Sequence, residues 1–348
     1  MSKVAVILFN LGGPDRLDAV RPFLLNLFDD RAIIAAPRLV RWLLARFISW
    51  RRAPVARRIY ATIGGGSPLL ANTQAQAAAL EAALACQSGE GPEFKVYIAM
   101  RYWHPRSDEA AAAVKAYGAE RIVLLPLYPQ FSTTTTGSSV ADWTRAAARA
   151  RLVVPTTTLC CYPSEPGFVA EVAAGVRAAL QRAKSSGRPR VLFSAHGLPR
   201  KIVAGGDPYP WQVERSVAAV LDELGIPDLD WRICYQSRVG RLEWIGPGTD
   251  AEIARAGREG VPVVVVPIAF VSEHSETLVE LDIDYRQLAR ESGVPAYERV
   301  PTVADGPRFI EGLARLVRAA LAESRPVCSG AGGRTCPADR RRCLHSSA

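Results

Sequence analysis

The chain has 348 residues, 49% of them hydrophobic, which suits two domains of roughly 150 residues, each with a core of its own. No apolar run approaches the ~20 residues of a membrane-spanning helix, and the opening MSKVAVILFNLGG enters a strand pattern at once, without the features of a secretory leader. The formal charge of +9 and the seven cysteines then point to a cytoplasmic enzyme or binding protein, whose cysteines are thiols or metal ligands rather than disulfides.

The first strand is predicted at VAVILFNL (4–11). After it, residues 31–58 hold eight arginines and no acidic residue. There the segment PRLVRWLLARFISWRR interleaves Arg38, Arg41, Arg46, Arg51 and Arg52 with Trp42, Leu43, Leu44, Phe47, Ile48 and Trp50. At ~100° per residue, Arg38, Arg41, Ser49 and Arg52 share one face while most of the circumference is apolar. Such a helix fits an anionic membrane surface, or the lip over an amphipathic ligand bearing carboxylates, better than it fits nucleic acid. An ordinary core helix is the plainer alternative.

Further strands are predicted at FKVYIAMRY (94–102), RIVLLPLYP (121–129) and ARLVVPTTTLC (150–160). Then come RVLFSAHGLP (190–199), DWRICYQS (230–237), VPVVVVPIAF (261–270) and PAYERVPT (295–302). Near-continuous Val/Ile/Leu runs, separated by helical stretches such as TQAQAAALEAALA and VERSVAAVLDEL, indicate parallel strands covered on both faces. Four strands and then four more predict two Rossmann-like, doubly wound α/β halves, each with a four-stranded parallel sheet flanked by helices. The break falls near QRAKSSGRPR (181–190), a last helix spans 306–323, and the tail CSGAGGRTCPADRRRCLHSSA has no core of its own.

Open α/β sheets bind ligands beyond the carboxyl ends of their strands. The residues there are Asn10–Pro14, Arg101–His104, Tyr128–Gln130, Ser194–Gly197, Tyr235–Ser237 and the acidic segment SEHSETLVELDIDY. If that segment is α-helical, Glu273, Glu276, Glu280 and Asp284 fall within an arc of about 80° and Asp282 points away into solvent. Crowded carboxylates have raised proton affinity and can pass protons or hold hydrated cations. A solvated helix face is the plainer alternative, weakened by the fully apolar strand just before. His274 can orient this stripe or pack beside it. His196, flanked by Ser194, Ala195 and Gly197, is sterically open and suits either a divalent metal or proton abstraction near neutral pH.

With NLGGP, RRIYATIGGGSPL, MRYWHP, YPQFSTTTTGSS, FSAHGLP, QSRVGRLEWIGP and PIAFVSEHSETLVELDIDY in one order from residue 10 to residue 285, the chain resembles the ferrochelatases. The resemblance implies a two-half chelatase-like fold and insertion of Fe²⁺ into protoporphyrin IX to form protohaem, with release of two protons. It implies that His196 and Glu276 face each other across the macrocycle as the catalytic pair and the contacts of the substrate iron. Glu273, His274, Glu280 and Asp284 match the family's path for protons or metal. Leu11, Arg52, Tyr60, Ser67, Arg101, Tyr102 and Trp244 match positions lining the porphyrin pocket, and residues 38–52 match a lip that rests on the membrane in some members. A coproporphyrin chelatase and a non-catalytic haem-binding protein on the same scaffold stay open as alternatives.

Some ferrochelatases bind a [2Fe–2S] cluster through three C-terminal cysteines and one internal cysteine. Here Cys328, Cys336 and Cys343 are separated by seven and six residues, and Thr133 stands where the animal enzymes carry their internal ligand. The fourth thiolate is then expected from Cys160 or Cys161, since four thiolates complete such a cluster. Zinc held by the tail cysteines and His345, or ordinary thiols, are the alternatives. Cys86 and Cys234 look like core thiols. The expected division is 1–160 for the first half with its lip, 161–322 for the second half with the His/Glu site, and 323–348 for the cysteine tail. Expected partners are porphyrin, ferrous iron and a peripheral contact with the inner face of the membrane, with no nucleic acid; a homodimer stays open.

Overall fold

The structure is a computed structural model that describes residues 2–85, 91–238, 240 and 242–346. In the first half, β1 (Lys3–Asn10) leads to α1 (Val20–Phe28), α2 (Arg38–Ala61) and α3 (Leu69–Ala85). Then follow β2 (Glu93–Met100), α4 (Ser107–Tyr117), β3 (Arg121–Pro126), α5 (Thr136–Arg149) and β4 (Thr156–Leu159). The second half runs α6 (Pro166–Ala183), β5 (Arg190–His196), α7 (Arg200–Ala204), α8 (Tyr209–Leu224), β6 (Trp231–Gln236), α9 (Thr249–Arg258) and β7 (Val263–Pro267). A π-helix (Glu276–Asp284), α10 (Tyr285–Glu291), β8 (Tyr297–Arg299), α11 (Pro307–Ala322) and β9 (Val327–Cys328) complete it.

From Val4 to Asn10 every residue of β1 is buried, because helices cover both faces of its sheet. That is why the run lacks polar alternation. The strand orders are β2-β1-β3-β4-β9 and β6-β5-β7-β8, and every pairing is parallel. In each sheet the chain starts in an inner strand, moves to one side, and then crosses to the other. The crossing opens a crevice at the carboxyl ends of β1 and β3, and again at those of β5 and β7.

The first sheet has five strands, not the four expected. The tail adds β9 to the edge of β4, with Thr158 opposite Val327 and Leu159 opposite Cys328, and so satisfies backbone groups that an open edge would leave unpaired. As expected, the tail has no core of its own; its Cys328 joins the main core, and Val327 and Leu344 pack against Phe131, Cys160 and Cys161. The last helix, α11, returns to pack on α3, β3 and β4 as well as α6. At Gly167 a Cβ would stand 2.0 Å from the Arg308 carbonyl oxygen, so only glycine admits this approach of α6 to the start of α11. One apolar core therefore runs through both halves, taking in Val6 and Leu125, Phe193 and Val266, Val172 of α6 and Leu313 of α11.

The helix α2 stands apart. Leu39, Leu43, Phe47 and Trp50 on it are 70%, 55%, 58% and 59% exposed, while Ala45, Ser49, Ala53 and Tyr60 face inward. Ser49 is thus on the buried side, and Arg41 is held by Asp29, its Nε donating to the carbonyl oxygen at 2.8 Å. The face shared by Arg38, Arg41, Ser49 and Arg52 is therefore mixed, exposed at Arg38 and Arg52 and buried at Ser49. No helix among the described residues is long and apolar enough to cross a membrane.

Candidate active site

The crevice between β5 and β7 assembles the site. His196 is the last residue of β5, while β7 ends at Pro267 and hands the chain to the loop bearing Glu273, His274 and Glu276. The two strands are neighbours, so His196 and Glu276 meet, with Nδ1 2.8 Å from Oε2. Their side chains remain 39% and 29% exposed, open to something entering the crevice. Burial alone would push the imidazole pKa down, but the Glu276 carboxylate holds it above its ordinary value. Burial would likewise raise Glu276, yet His196 and then His274 keep it well below the usual carboxylate range. Each partner favours the charged form of the other.

Around this pair the acids are sorted by their partners. The segment from Glu276 to Asp284 is a π-helix, and the Tyr285 N–H reaches back five residues to the Glu280 carbonyl. Its wider winding undoes the single stripe expected of an α-helix. Glu280 accepts from Gln236 Nε2 at 3.2 Å, from the Ser237 N–H at 2.7 Å and from the Tyr285 hydroxyl at 3.0 Å. Burial, and then the charge of Glu276, raise its pKa. Glu273 turns instead to the Thr302 N–H at 3.0 Å and to Arg299, whose guanidinium overcomes burial and lowers its pKa. His274 places Nε2 3.8 Å from the Glu276 carboxylate and donates from Nδ1 to the Ser272 carbonyl at 3.1 Å. Asp284 is exposed. Asp282, expected to be solvated, is instead half-buried in an ion pair with Arg299.

The first half reaches across to the same loop. From α3, Asn72 Nδ2 donates to the Glu273 carbonyl at 3.1 Å, and Gln76 Nε2 donates to the Val271 and Ala304 carbonyls at 2.9 and 2.8 Å. Tyr60 is buried at the end of α2, with its hydroxyl on Ser275. Leu11 packs against the cluster containing Tyr60. The Ser67 N–H donates to the Pro14 carbonyl at 2.7 Å. Trp244 lies beside the residue after His196, since a Cβ on Gly197 would stand 3.3 Å from its ring. Its buried indole N–H has no hydrogen-bond partner among the described residues. Arg52 is exposed.

Arg101 and Tyr102 depart from expectation. Arg101 pairs with Asp30 at 2.8 Å and donates to Ser138 at 2.7 Å. Tyr102 is 0% exposed and donates its hydroxyl to Asp30 at 2.8 Å. Both belong to a buried polar knot and are not open contacts for a ring, because Asp30 competes for them. Gln76 and Arg299 were missed by sequence reasoning: one sits in a helical run with no distinguishing pattern, and the other simply ends a strand.

The tail cysteines meet the internal pair. Cys160 and Cys161 bring their sulfurs to 3.2 Å, and the Cys160 N–H donates to the Cys328 carbonyl at 2.8 Å. From α8, Gln212 Nε2 donates to Cys336 Sγ at 3.1 Å. A hydrogen bond from Cys336 pulls the Cys343 thiol down to about 6, and Cys336 rises in turn. Thr133 is committed to Asp207, its hydroxyl donating at 2.7 Å. Among the described residues no three or more His, Cys, Asp or Glu side chains are grouped so as to hold a metal ion, which leaves both the expected [2Fe–2S] arrangement of the tail cysteines and the zinc arrangement with His345 without support. Cys234 is buried in the second half as a core thiol, and Cys86 lies outside the described residues.

Comparison with known proteins places this geometry. The Ferrochelatase family model matches residues 3–321. The chain is 53% identical over 341 residues to the ferrochelatase of Caulobacter vibrioides (strain NA1000 / CB15N), covering 98% of this chain and 97% of that one. It is 50% identical over 346 residues to the ferrochelatase of Hyphomonas neptunium, covering 98% and 94%. Among solved structures, SirB from Bacillus subtilis with Fe³⁺ superposes with a TM-score of 0.53 at 14% identity, covering 93% of this chain and 97% of SirB, a likeness of fold alone. With the match spanning both halves and the crevice between β5 and β7, the chain belongs to the ferrochelatase family and is a metal chelatase.

Proposed function

We propose that the protein inserts Fe²⁺ into protoporphyrin IX, releasing two protons, with His196 and Glu276 as the reacting pair. The observation that carries this is their 2.8 Å approach in a crevice that leaves both side chains partly open. Metal insertion exchanges pyrrole N–H protons for an ion, so the site must take up protons and hold a cation briefly. An imidazole nitrogen and a carboxylate oxygen can do both. Two protein contacts suffice for an ion in transit, since the porphyrin nitrogens take it over.

Glu280 is the next station for a departing proton, because burial and Glu276 raise its affinity for one. Asp284 offers the exit to solvent, His274 steadies Glu276, and Glu273 supports the path through Arg299. Leu11, Tyr60, Ser67 and Trp244 frame the ring, and Arg52 on α2 can meet a propionate. The exposed apolar side of α2 between residues 38 and 52 is proposed to rest on a membrane surface, from which a greasy ring is delivered. The protein would then be cytoplasmic, with peripheral contact.

For a [2Fe–2S] cluster on Cys328, Cys336, Cys343 and one of Cys160 and Cys161, the support is the cysteine pattern and the 3.2 Å approach of Cys160 to Cys161. Among the described residues no three thiols are grouped as metal ligands, so the tail must close further to hold one. Such a cluster supplies one-electron redox chemistry when bound.

Zinc insertion followed by fluorescence, run in parallel on protoporphyrin and coproporphyrin, tests the substrate. A higher kcat/KM for protoporphyrin is expected. An equal or higher value for coproporphyrin would overturn the choice of ring, and no metalloporphyrin from either would overturn the roles given to His196 and Glu276.

A further inference from the structure

Arg299 ends β8, opposite Val265 of β7, with its side chain only 10% exposed. Its guanidinium joins two carboxylates. Nη1 donates to Glu273 Oε1 at 2.5 Å, Nε donates to Asp282 Oδ1 at 3.0 Å, and Nη2 donates to Asp282 Oδ2. Glu273 lies three residues before Glu276 in the loop that leads into the π-helix, and Asp282 follows Glu276 within it. One planar fork on the edge strand β8 therefore holds both flanks of the segment that carries Glu276.

Such a hold has a physical purpose. A π-helix is rare and is retained where surrounding contacts over-determine it, commonly at functional sites. Here the Glu276 carbonyl is tied to Gln236 Nε2 at 3.0 Å from β6. On that side Gln236 and the Ser237 N–H also hold Glu280, and Arg299 adds a hold from the opposite side, on Glu273 and Asp282. Arg299 also supplies positive charge to two half-buried acids, Glu273 and Asp282, in a segment that already carries Glu276 and Glu280. A lysine could not replace it, because an ammonium is a point charge without the planar fork.

We propose that Arg299 is a positioning residue for metal insertion, setting the Glu276 carboxylate against His196 by clamping Glu273 and Asp282 on either side of it. This rests on the reading of His196 and Glu276 as the reacting pair.

The test measures kcat and KM for zinc insertion, with porphyrin Kd from fluorescence, for Arg299→Met, Arg299→Lys, Glu276→Gln and the double variant Glu276→Gln/Arg299→Met. Arg299→Met is expected to lower kcat on the order of ten- to a hundredfold while Kd stays within about threefold, and Arg299→Lys to recover only part of the loss. In the Glu276→Gln background the further loss from Arg299→Met should shrink below about threefold, because its effect passes through Glu276. Equal losses in both backgrounds would overturn positioning in favour of a general structural role. Arg299→Met at parental kcat, with Glu276→Gln inactive, would overturn the role of Arg299 and leave the reacting pair standing; an active Glu276→Gln would remove the pair itself. Should Arg299→Met fail to fold, Asp282→Asn opens half the clamp, and it must lower kcat at constant Kd or the proposal is wrong.

Discussion

Replacing Glu276 with Gln keeps the size and one acceptor oxygen of the side chain but removes its charge. In the structure that charge faces His196 Nδ1 at 2.8 Å and His274 Nε2 at 3.8 Å. It holds the His196 pKa up and adds to the rise at Glu280. The substitution should therefore disturb three groups on the reaction path at once. Loss of a positioned acid–base group costs about 10²–10⁴ in rate, which corresponds to about 2.7–5.4 kcal/mol of transition-state stabilisation. Stability should change far less, by no more than about 1 kcal/mol, because the pair is partly exposed and solvent screens it. The assay is zinc insertion into protoporphyrin, with porphyrin Kd and the urea midpoint taken on the same preparation. Turnover within about threefold of the parent, at unchanged Kd, would refute the assignment of the pair, since no other carboxylate contacts His196 among the described residues.

The same pair makes stability depend on pH. His196 is raised on folding, so its contribution is full below its ordinary pKa of about 6.5 and is lost as pH rises through the folded value; Glu276 is lowered, so its contribution is full above about 4.3 and is lost as pH falls through its folded value. The difference in urea midpoint between parent and Glu276→Gln should therefore be largest between about pH 4.3 and 6.5, and a difference constant from about pH 3 to 9 would count against the pairing. On α2, Phe47→Ser with Trp50→Ser removes two side chains that are 58% and 59% exposed, and should weaken co-sedimentation with anionic vesicles by at least about tenfold while turnover in detergent stays within about threefold. Unchanged vesicle binding would remove the membrane role of this helix. Cys336→Ser should abolish visible absorption beyond the Soret region together with acid-labile sulfide, whereas Cys234→Ser, in the second-half core, should leave both intact. Absence of sulfide from the anaerobically purified parent would reduce the tail cysteines to ordinary thiols.

The strands were legible in the sequence because burial on both faces leaves a parallel strand little choice but Val, Ile and Leu, as at VVVVP in β7. His196 was legible as an open residue at a strand end where ligands bind, whereas strand position marked Glu276 only as one member of an acidic stripe and the family resemblance singled it out. What escaped depends on partners distant in the chain. The two-residue strand β9 exists only because the edge of β4 was open to it. Arg101 and Tyr102 stand at a strand end as cleft residues would, but Asp30 claims both. The acidic segment shows the point most fully. Helical periodicity treats its carboxylates as equivalent members of one stripe, whereas the structure gives each a different counterpart. Glu273 has Arg299, Glu276 has His196, Glu280 has Ser237 and Tyr285, and Asp284 has water. Proton affinity is low at Glu273 and Glu276, beside Arg299 and the histidines, and raised at Glu280, where burial and the charge of Glu276 outweigh the hydrogen bonds from Ser237 and Tyr285. A proton leaving the crevice thus meets groups of graded affinity. The low end of that gradient is set chiefly by His196 on β5 and Arg299 on β8, and no local pattern within the segment could have revealed those partners.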